Sequence, residues 1–448
     1  MTDAVEASGT AKGPGMDARE LYRARLTTAA DAVDGIGSGM NVAMGMAVAE
    51  PPALLRALAE RVESAGLTDL RLWYLHSLDA AGQTVLKPGL LDRVRPHCLF
   101  LSDIERKLIR NAPTGSHGPV EFVPVAFSGA IDAMTRQGPL DACITTVSPM
   151  DRNGWFTFGT SNDYTSSVAR SAQRLIVEVN PNMPRVFGES LLHVSEVDAI
   201  IESDTPLPEI QCGTPSPEEQ AIARIVADMI DDGACLQMGI GTLPTAVCAL
   251  LEDRRDLGIH TELMTPALAR LMECGAVTNR AKATYRGRSV FTFAMGDAPF
   301  YAYLDDNPAF HSLPVNLAND PRHIAKNDNV VSVNGTLQVD LGGACNSEHL
   351  LGRQYSGSGG QLDFVRGATA SRGGKSIIAC QSTALSGKVS RIVPTLDGPV
   401  TTPRNDTHIV VTEYGWVDLR GKTVAQRADA LIGLAHPRFR DELANSLR

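Results

Sequence analysis

Glu262 stands in the run Leu257-Gly258-Ile259-His260-Thr261-Glu262-Leu263-Met264, a carboxylate among mainly apolar neighbours. Burying such a group is costly unless it is paired or put to use, which makes Glu262 the catalytic candidate. The plainer alternative is an exposed residue at a strand end, and spacing alone does not choose Glu262 over Glu178 or Glu413. His260 reads as a packing histidine rather than a base, and Cys274 as a core thiol at a helix end. One helix upstream lies Gly239-Ile240-Gly241-Thr242-Leu243-Pro244. Glycines let a ligand approach the backbone, and the helix that follows would turn its first N–H groups toward a phosphate. A tight structural turn explains the same spacing. The second cluster, Gly352–Phe364, holds four glycines and one aliphatic residue in thirteen positions, together with Arg353, Tyr355, Asp363 and Phe364. That mixture suits a ligand-wrapping loop better than a linker. Arg372, Lys375, Lys388 and Arg391 then fall near glycine turns, as a phosphate-bearing ligand would want, with solvated surface charge as the alternative.

These residues need strands and helices to hold them. Strand-like runs occur at Leu70–Leu75, Ala142–Val147, Arg174–Val179, Cys235–Met238, Val290–Met295, Ser376–Cys380 and His408–Thr412. Between them lie helical patterns, clearest at Ile222, Ile225, Val226, Met229 and Ile230. That helix opens with Ser216-Pro217-Glu218-Glu219, a capping box with proline at the first helical position. Such alternation predicts an α/β fold with mostly parallel sheets, in which ligands bind beyond the carboxyl ends of strands.

The chain has 448 residues, 43% hydrophobic and 21% charged, enough to bury a sizeable core. Its net charge of −10 argues against nucleic acid or an anionic membrane as the main partner. The longest nearly apolar stretch, Met40–Ala49, is too short to span a bilayer, and residues 1–16 read as a disordered tail rather than a signal peptide. A cytoplasmic location is expected. The eight cysteines show no CxxC pair and the histidines no HExxH, so neither a disulfide framework nor a bound metal is expected.

Residues 203–217 carry four prolines and divide the chain. The parts on either side look alike. Gly37–Leu58 and Gly233–Leu251 each run from a glycine turn through a short strand ending Met-Gly to a loop, a proline and an apolar helix. A duplicated α/β domain follows: residues 17–204 and 218–448, joined by a linker at 205–217.

The chain resembles the acetyl-CoA hydrolase/transferase family, in particular its 4-hydroxybutyrate and butyrate type CoA-transferases, from about Leu21 to Leu443. The resemblance rests on Gly352–Phe364, Gly373–Ile378, Ser390–Pro394, Thr402–Asp406, Val411–Gly415, Asp418–Lys422 and Ala435–Pro437. Val147–Pro149, Asp163–Thr165 and His193–Glu196 join them from the first half. It implies two related α/β domains, a catalytic glutamate at Glu262, and coenzyme A contacts at Gly239, Ile240, Gly241, Thr242, Leu243, Gly359 and Gly360. It also implies an acyl pocket between the domains, with the loop Met44–Glu50 contributing, and a homodimer. Coenzyme A would be substrate, with no prosthetic group. The activity implied is ping-pong transfer of coenzyme A between short-chain acids through glutamyl anhydride and glutamyl-CoA thioester intermediates. The candidate acids are acetate, butyrate, 4-hydroxybutyrate, or a dicarboxylate such as succinate or itaconate.

Two departures from the family pattern stand out. Leu263-Met264-Thr265-Pro266-Ala267 replaces the usual Met-x-Ser-Asp-Gly beside the acyl site, and Gln381-Ser382-Thr383-Ala384-Leu385 lacks the terminal lysine that contacts coenzyme A. Lys388 or Arg391 are candidates to replace that lysine, and Arg71, Arg93 and Arg95 could meet a second carboxylate or simply be solvated. The competing readings are an acyl-CoA hydrolase on the same scaffold and a non-catalytic coenzyme A-binding protein. A nicotinamide dehydrogenase is disfavoured because Gly241 is not followed by the third glycine of that fingerprint.

Overall fold

The structure, a computed structural model, describes residues 17–111, 118–210 and 213–447. The expected tail at 1–16 and Cys212 lie outside these. Two sheets dominate. The first runs Glu121–Phe122, Val94–Cys98, Leu70–Tyr74, Asn41–Met44, Ala142–Val147, Leu175–Val179, Ala199–Glu202, every neighbour parallel. The second runs Gly258–Ile259, Cys235–Met238, Val330–Gly335, Lys375–Ala379, Ile409–Thr412, Gly415–Asp418, parallel except for the closing hairpin. Strands as fully buried as Ala142–Val147 and Leu175–Val179 must be covered on both faces, and the helices between strands do this.

Each sheet starts near its middle and grows first to one side, then to the other. In the first, the order reverses between Asn41–Met44 and Ala142–Val147; in the second, between Cys235–Met238 and Val330–Gly335. Met44-Gly45 and Met238-Gly239 leave equivalent strands, and each leads to a helix with proline in its first turn, Pro52–Ser64 and Thr242–Ala249. The internal likeness in sequence is therefore a likeness of topology. The helix Pro217–Asp228 carries its capping box: Ser216 Oγ accepts from the Glu219 N–H at 3.2 Å, and Glu219 accepts from the Ser216 N–H at 2.8 Å. Its Ile222 and Val226 are buried. Residues 203–210 and 213–216 form no helix or strand.

Three details differ from the sequence reading. Val290–Met295 is two strands, Ser289–Phe291 and Phe293–Ala294, broken at Thr292. There the Thr292 and Phe293 N–H groups turn to the Glu262 carbonyl, while the Thr292 carbonyl takes N–H groups from Asn162 and Asp163. Cys274 is exposed just past the helix Pro266–Glu273, whereas Cys98, Cys143, Cys235, Cys248, Cys345 and Cys380 are buried. Arg71 and Arg95 both pair with Asp69.

The core is continuous from Phe127, Phe158 and Tyr164 in the first half to Leu236, Val247 and Phe293 in the second. Leu236, fully buried in the strand that carries the glycine loop, is expected to cost about 2–5 kcal/mol on Leu236→Ala, read as a lower urea midpoint.

Candidate active site

The strand Cys235–Met238 ends in Gly239-Ile240-Gly241, at the switch point of the second sheet. Gly241 has φ +123°, a value that excludes ordinary side chains, and so lets the chain turn sharply into Thr242–Ala249. Thr242 anchors that turn by donating its hydroxyl to Glu219 at 2.7 Å. The neighbouring strand Gly258–Ile259 then delivers Glu262 to the same crevice three residues later.

Glu262 is half-buried and lines a cavity of about 270 Å³. Gly239, Ile240, Gly359 and Gly360 line this cavity with it; Gly241, Thr242 and Leu243 do not, and form the start of the next helix instead. Its apolar wall includes Leu75, Phe100 and Phe127 from the first half, with Leu263, Phe293 and Met295 from the second. Met44–Glu50 is not part of that wall. Val48 and Glu50 face a separate cavity, where Glu50 accepts from the Leu78 and Ala81 N–H groups. The first half reaches the site through the next strands along, by way of Leu75, His76 and Phe100.

The Glu262 carboxylate is closely held. Asn319 Nδ2 donates to its Oε2 at 2.6 Å, and the Gly360 N–H also reaches it. A Cβ on Gly360 would lie 1.8 Å from Oε2 and 2.3 Å from Asn319 Nδ2, so the backbone itself forms the wall. Burial pushes the Glu262 carboxyl up to about 7; the Asn319 hydrogen bond opposes this and the nearby Asp363 carboxylate adds to it. The glycine wall is fastened to the first half of the chain. Phe127 N–H donates to the Gly359 carbonyl at 2.9 Å, Ser358 Oγ to the Val125 carbonyl at 2.8 Å, and Arg106 Nη1 to the Tyr355 carbonyl at 3.1 Å.

The other candidates are occupied elsewhere. His260 is buried between the Ala318 carbonyl, at 2.8 Å, and Asn327; burial drives its ring down to about 3, so it is neutral. Glu178 receives the Ala53 and Leu54 N–H groups at a helix start, and Glu413 receives the Ser382 N–H and hydroxyl. Arg391 spends its guanidinium on the carbonyls of Thr383, Thr336 and Leu337. Arg372 pairs with Asp328 and Lys375 with Asp231. Lys388 is exposed beside the turn Leu385-Ser386-Gly387, three successive residues at positive φ. Sequence reasoning missed Asn319. Asn319 lies 57 residues from Glu262 in an unremarkable run, and nothing local marks it.

Gly360→Ala is expected to force the carboxylate and Asn319 apart at a cost of about 1–3 kcal/mol, seen as a lower unfolding midpoint. Gly239→Ala, whose Cβ would meet nothing nearer than the Val333 carbonyl at 4.0 Å, is the mild control.

Comparison with known proteins gives the family. Residues 12–210 match the acetyl-CoA hydrolase/transferase N-terminal domain, and residues 296–447 match its C-terminal domain. The 4-hydroxybutyrate coenzyme A transferase of Clostridium kluyveri is 40% identical over 97% of this chain and 99% of its own length. The succinyl-CoA:cyclohexane-1-carboxylate CoA transferase of Geobacter metallireducens is 41% identical over 95% of this chain and 96% of its own. Among solved structures, RipA from Yersinia pestis superposes with a TM-score of 0.93 at 54% identity, covering 96% of this chain and 98% of that one. The chain belongs to the acetyl-CoA hydrolase/transferase family.

Proposed function

We propose that this protein transfers coenzyme A from a short-chain acyl-CoA to a free carboxylic acid, with Glu262 as the nucleophile. The observation that carries the reading is Glu262 itself: a carboxylate at a sheet switch point, dry on one side, facing an apolar cavity between two glycine loops. The Clostridium kluyveri and Geobacter metallireducens relatives are named as coenzyme A transferases, which supports the substrate class. A cavity of about 270 Å³ walled by Leu75, Phe127 and Phe293 suits acids of two to five carbons. Acetate, butyrate and 4-hydroxybutyrate fit that description, as do succinate and itaconate.

Glu262 Oε2 attacks the thioester carbonyl, forming an acyl-glutamyl anhydride and expelling the coenzyme A thiolate. The thiolate attacks the glutamyl carbonyl and releases the first acid, leaving a glutamyl-CoA thioester. An acceptor carboxylate then runs the two steps backward and departs as the new acyl-CoA. Backbone N–H groups of the Gly239–Ile240 and Gly359–Gly360 loops are the oxyanion donors, fixed before the charge develops. Gly241, Thr242 and Leu243 orient the helix start toward the coenzyme A phosphates. The apolar wall excludes the water that would hydrolyse the anhydride. Lys388, exposed three residues further on, takes the place of the missing lysine at Leu385. The same reading carries a homodimer in the cytoplasm, the first of which light scattering would test.

Intact-protein mass spectrometry after mixing with acetyl-CoA or succinyl-CoA is expected to show a coenzyme A adduct on the Glu262 peptide, absent in Glu262→Ala. Rapid thiol release with no adduct would instead mean a hydrolase. Because the nucleophile must be ionised, kcat/KM is expected to rise with pH through a midpoint near 7, the carboxyl being protonated below it. Lys388→Ala should raise KM for acyl-CoA by about two- to fivefold and leave kcat alone, as an exposed ionic contact would.

A further inference from the structure

Asp363 stands three residues beyond Gly360, in the first turn of the helix Gln361–Ala370, and is 5% exposed. Two donors from the first half of the chain meet its carboxylate: the Ser128 N–H at 3.0 Å and the Ser128 hydroxyl at 2.8 Å. Burial pushes the Asp363 carboxyl up to about 6, and the Ser128 bonds and nearby Asn319 oppose this. Asn319, fully buried, donates its Nδ2 to Glu262, while its Oδ1 has no partner among the described residues. Asn319 thus stands beside both carboxyl groups, and Ser128 holds Asp363 from the first half of the chain.

The remaining titratable groups around the pair are neutral or engaged. His76, from the loop after Leu70–Tyr74, faces the cavity with its ring held neutral by burial. His260 turns to Ala318, Lys282 donates to the Ile259 and Arg288 carbonyls, and Arg366 pairs with Asp406. Among the described residues, Asp363 is the charged group that acts on Glu262.

We propose that Asp363, held by Ser128 across the two halves of the chain, drives Glu262 toward its covalent forms by charge repulsion, with Asn319 fixing the Glu262 carboxylate beside it. Asp363 is a positioning residue that acts through Glu262, and this rests on the acyl-transfer reading above. In the first step the Glu262 oxygen bonds to the acyl carbon while the carbon–sulfur bond breaks, its electron pair leaving as thiolate. In the second, sulfur bonds to the glutamyl carbon and the anhydride carbon–oxygen bond breaks, its pair leaving with the free acid. No proton is consumed. The negative charge that began on Glu262 departs with the acid, so the thioester faces Asp363 uncharged. Repulsion present in the free enzyme is absent from the adduct, and that difference favours the adduct.

A protonated Glu262 is equally uncharged, so one repulsion governs two observables. With fixed acetyl-CoA and acetate, intact-mass spectrometry gives the ratio of adduct to free enzyme, and its pH dependence gives the midpoint for Glu262. Asp363→Asn is expected to lower the ratio at pH 8 about tenfold and to move the midpoint down by about one unit, the two changes matching. Ser128→Ala should lower the ratio at pH 7 but leave it as wild type at pH 8.5, where Asp363 is ionised with or without the hydroxyl. A folded Asp363→Asn with wild-type ratio and midpoint overturns the proposal while leaving the transferase reading intact. Should that variant not fold, a Ser128→Ala ratio equal to wild type at pH 7 overturns it. No wild-type adduct with acetyl-CoA or succinyl-CoA overturns both readings.

Discussion

A carboxylate removed from water must be given partners or it will take a proton, and the second half of this chain is organised around meeting that demand for Glu262. The cost of desolvation is several kcal/mol for an unpartnered ion. It is met here by one amide, Asn319, and by backbone N–H at Gly360, groups that carry no formal charge. A lysine or arginine in their place would stabilise the ion more and blunt it as a nucleophile. Neutral donors leave the carboxyl near 7, so that about half of it is ionised in neutral solution. The glycine at 360 follows from this, since only bare backbone fits so close to the carboxylate.

The two sheets offer the same kind of crevice twice, and the chain has treated them differently. In the second sheet, the crevice beyond Met238 and Gly335 opens on Glu262. In the first, the equivalent helix start is closed by the chain's own carboxylate, Glu178, which accepts from Ala53 and Leu54 as a bound anion would. The first half instead contributes walls: Leu75, Phe100 and Phe127 confine the cavity, and Phe127, Val125 and Arg106 pin the glycine loop that presses on Glu262.

What was legible in the sequence was what local pattern controls. Strand periods, the Ser216 capping box and the Met-Gly duplication each depend on neighbours within a few residues, and each is present in the structure. Val290–Met295 failed because a long-range acceptor, the Glu262 carbonyl, pulls two N–H groups out of register, which no local pattern reports. Glu178, Glu262 and Glu413 looked alike because the distinction between them is who donates to each carboxylate. For Glu178 and Glu413 the donors include backbone N–H groups distant in sequence, and for Glu262 they are the Asn319 amide and the Gly360 N–H, distant as well. The resemblance to a family singled out Glu262 where spacing could not. Asn319 and Ser128 carry no signature of their own, their meaning arising only from folding.

The division of labour around the cavity has an evolutionary corollary. Glu262 and both glycine loops come from one half of the chain, whereas much of the wall that an acyl tail would touch comes from the other. If the cavity holds an acyl group as proposed, drift in Leu75, His76 or Phe100 can therefore reshape the accepted acid without disturbing Glu262 and the glycine loops. The hydrogen bond from Phe127 to Gly359 sets the limit on that freedom. It is made by backbone atoms, indifferent to side-chain identity, so the seam between the halves stays fixed while the residues beside it are exchanged. A lineage could diversify its diet of acids by changing one half and inherit the chemistry unchanged in the other.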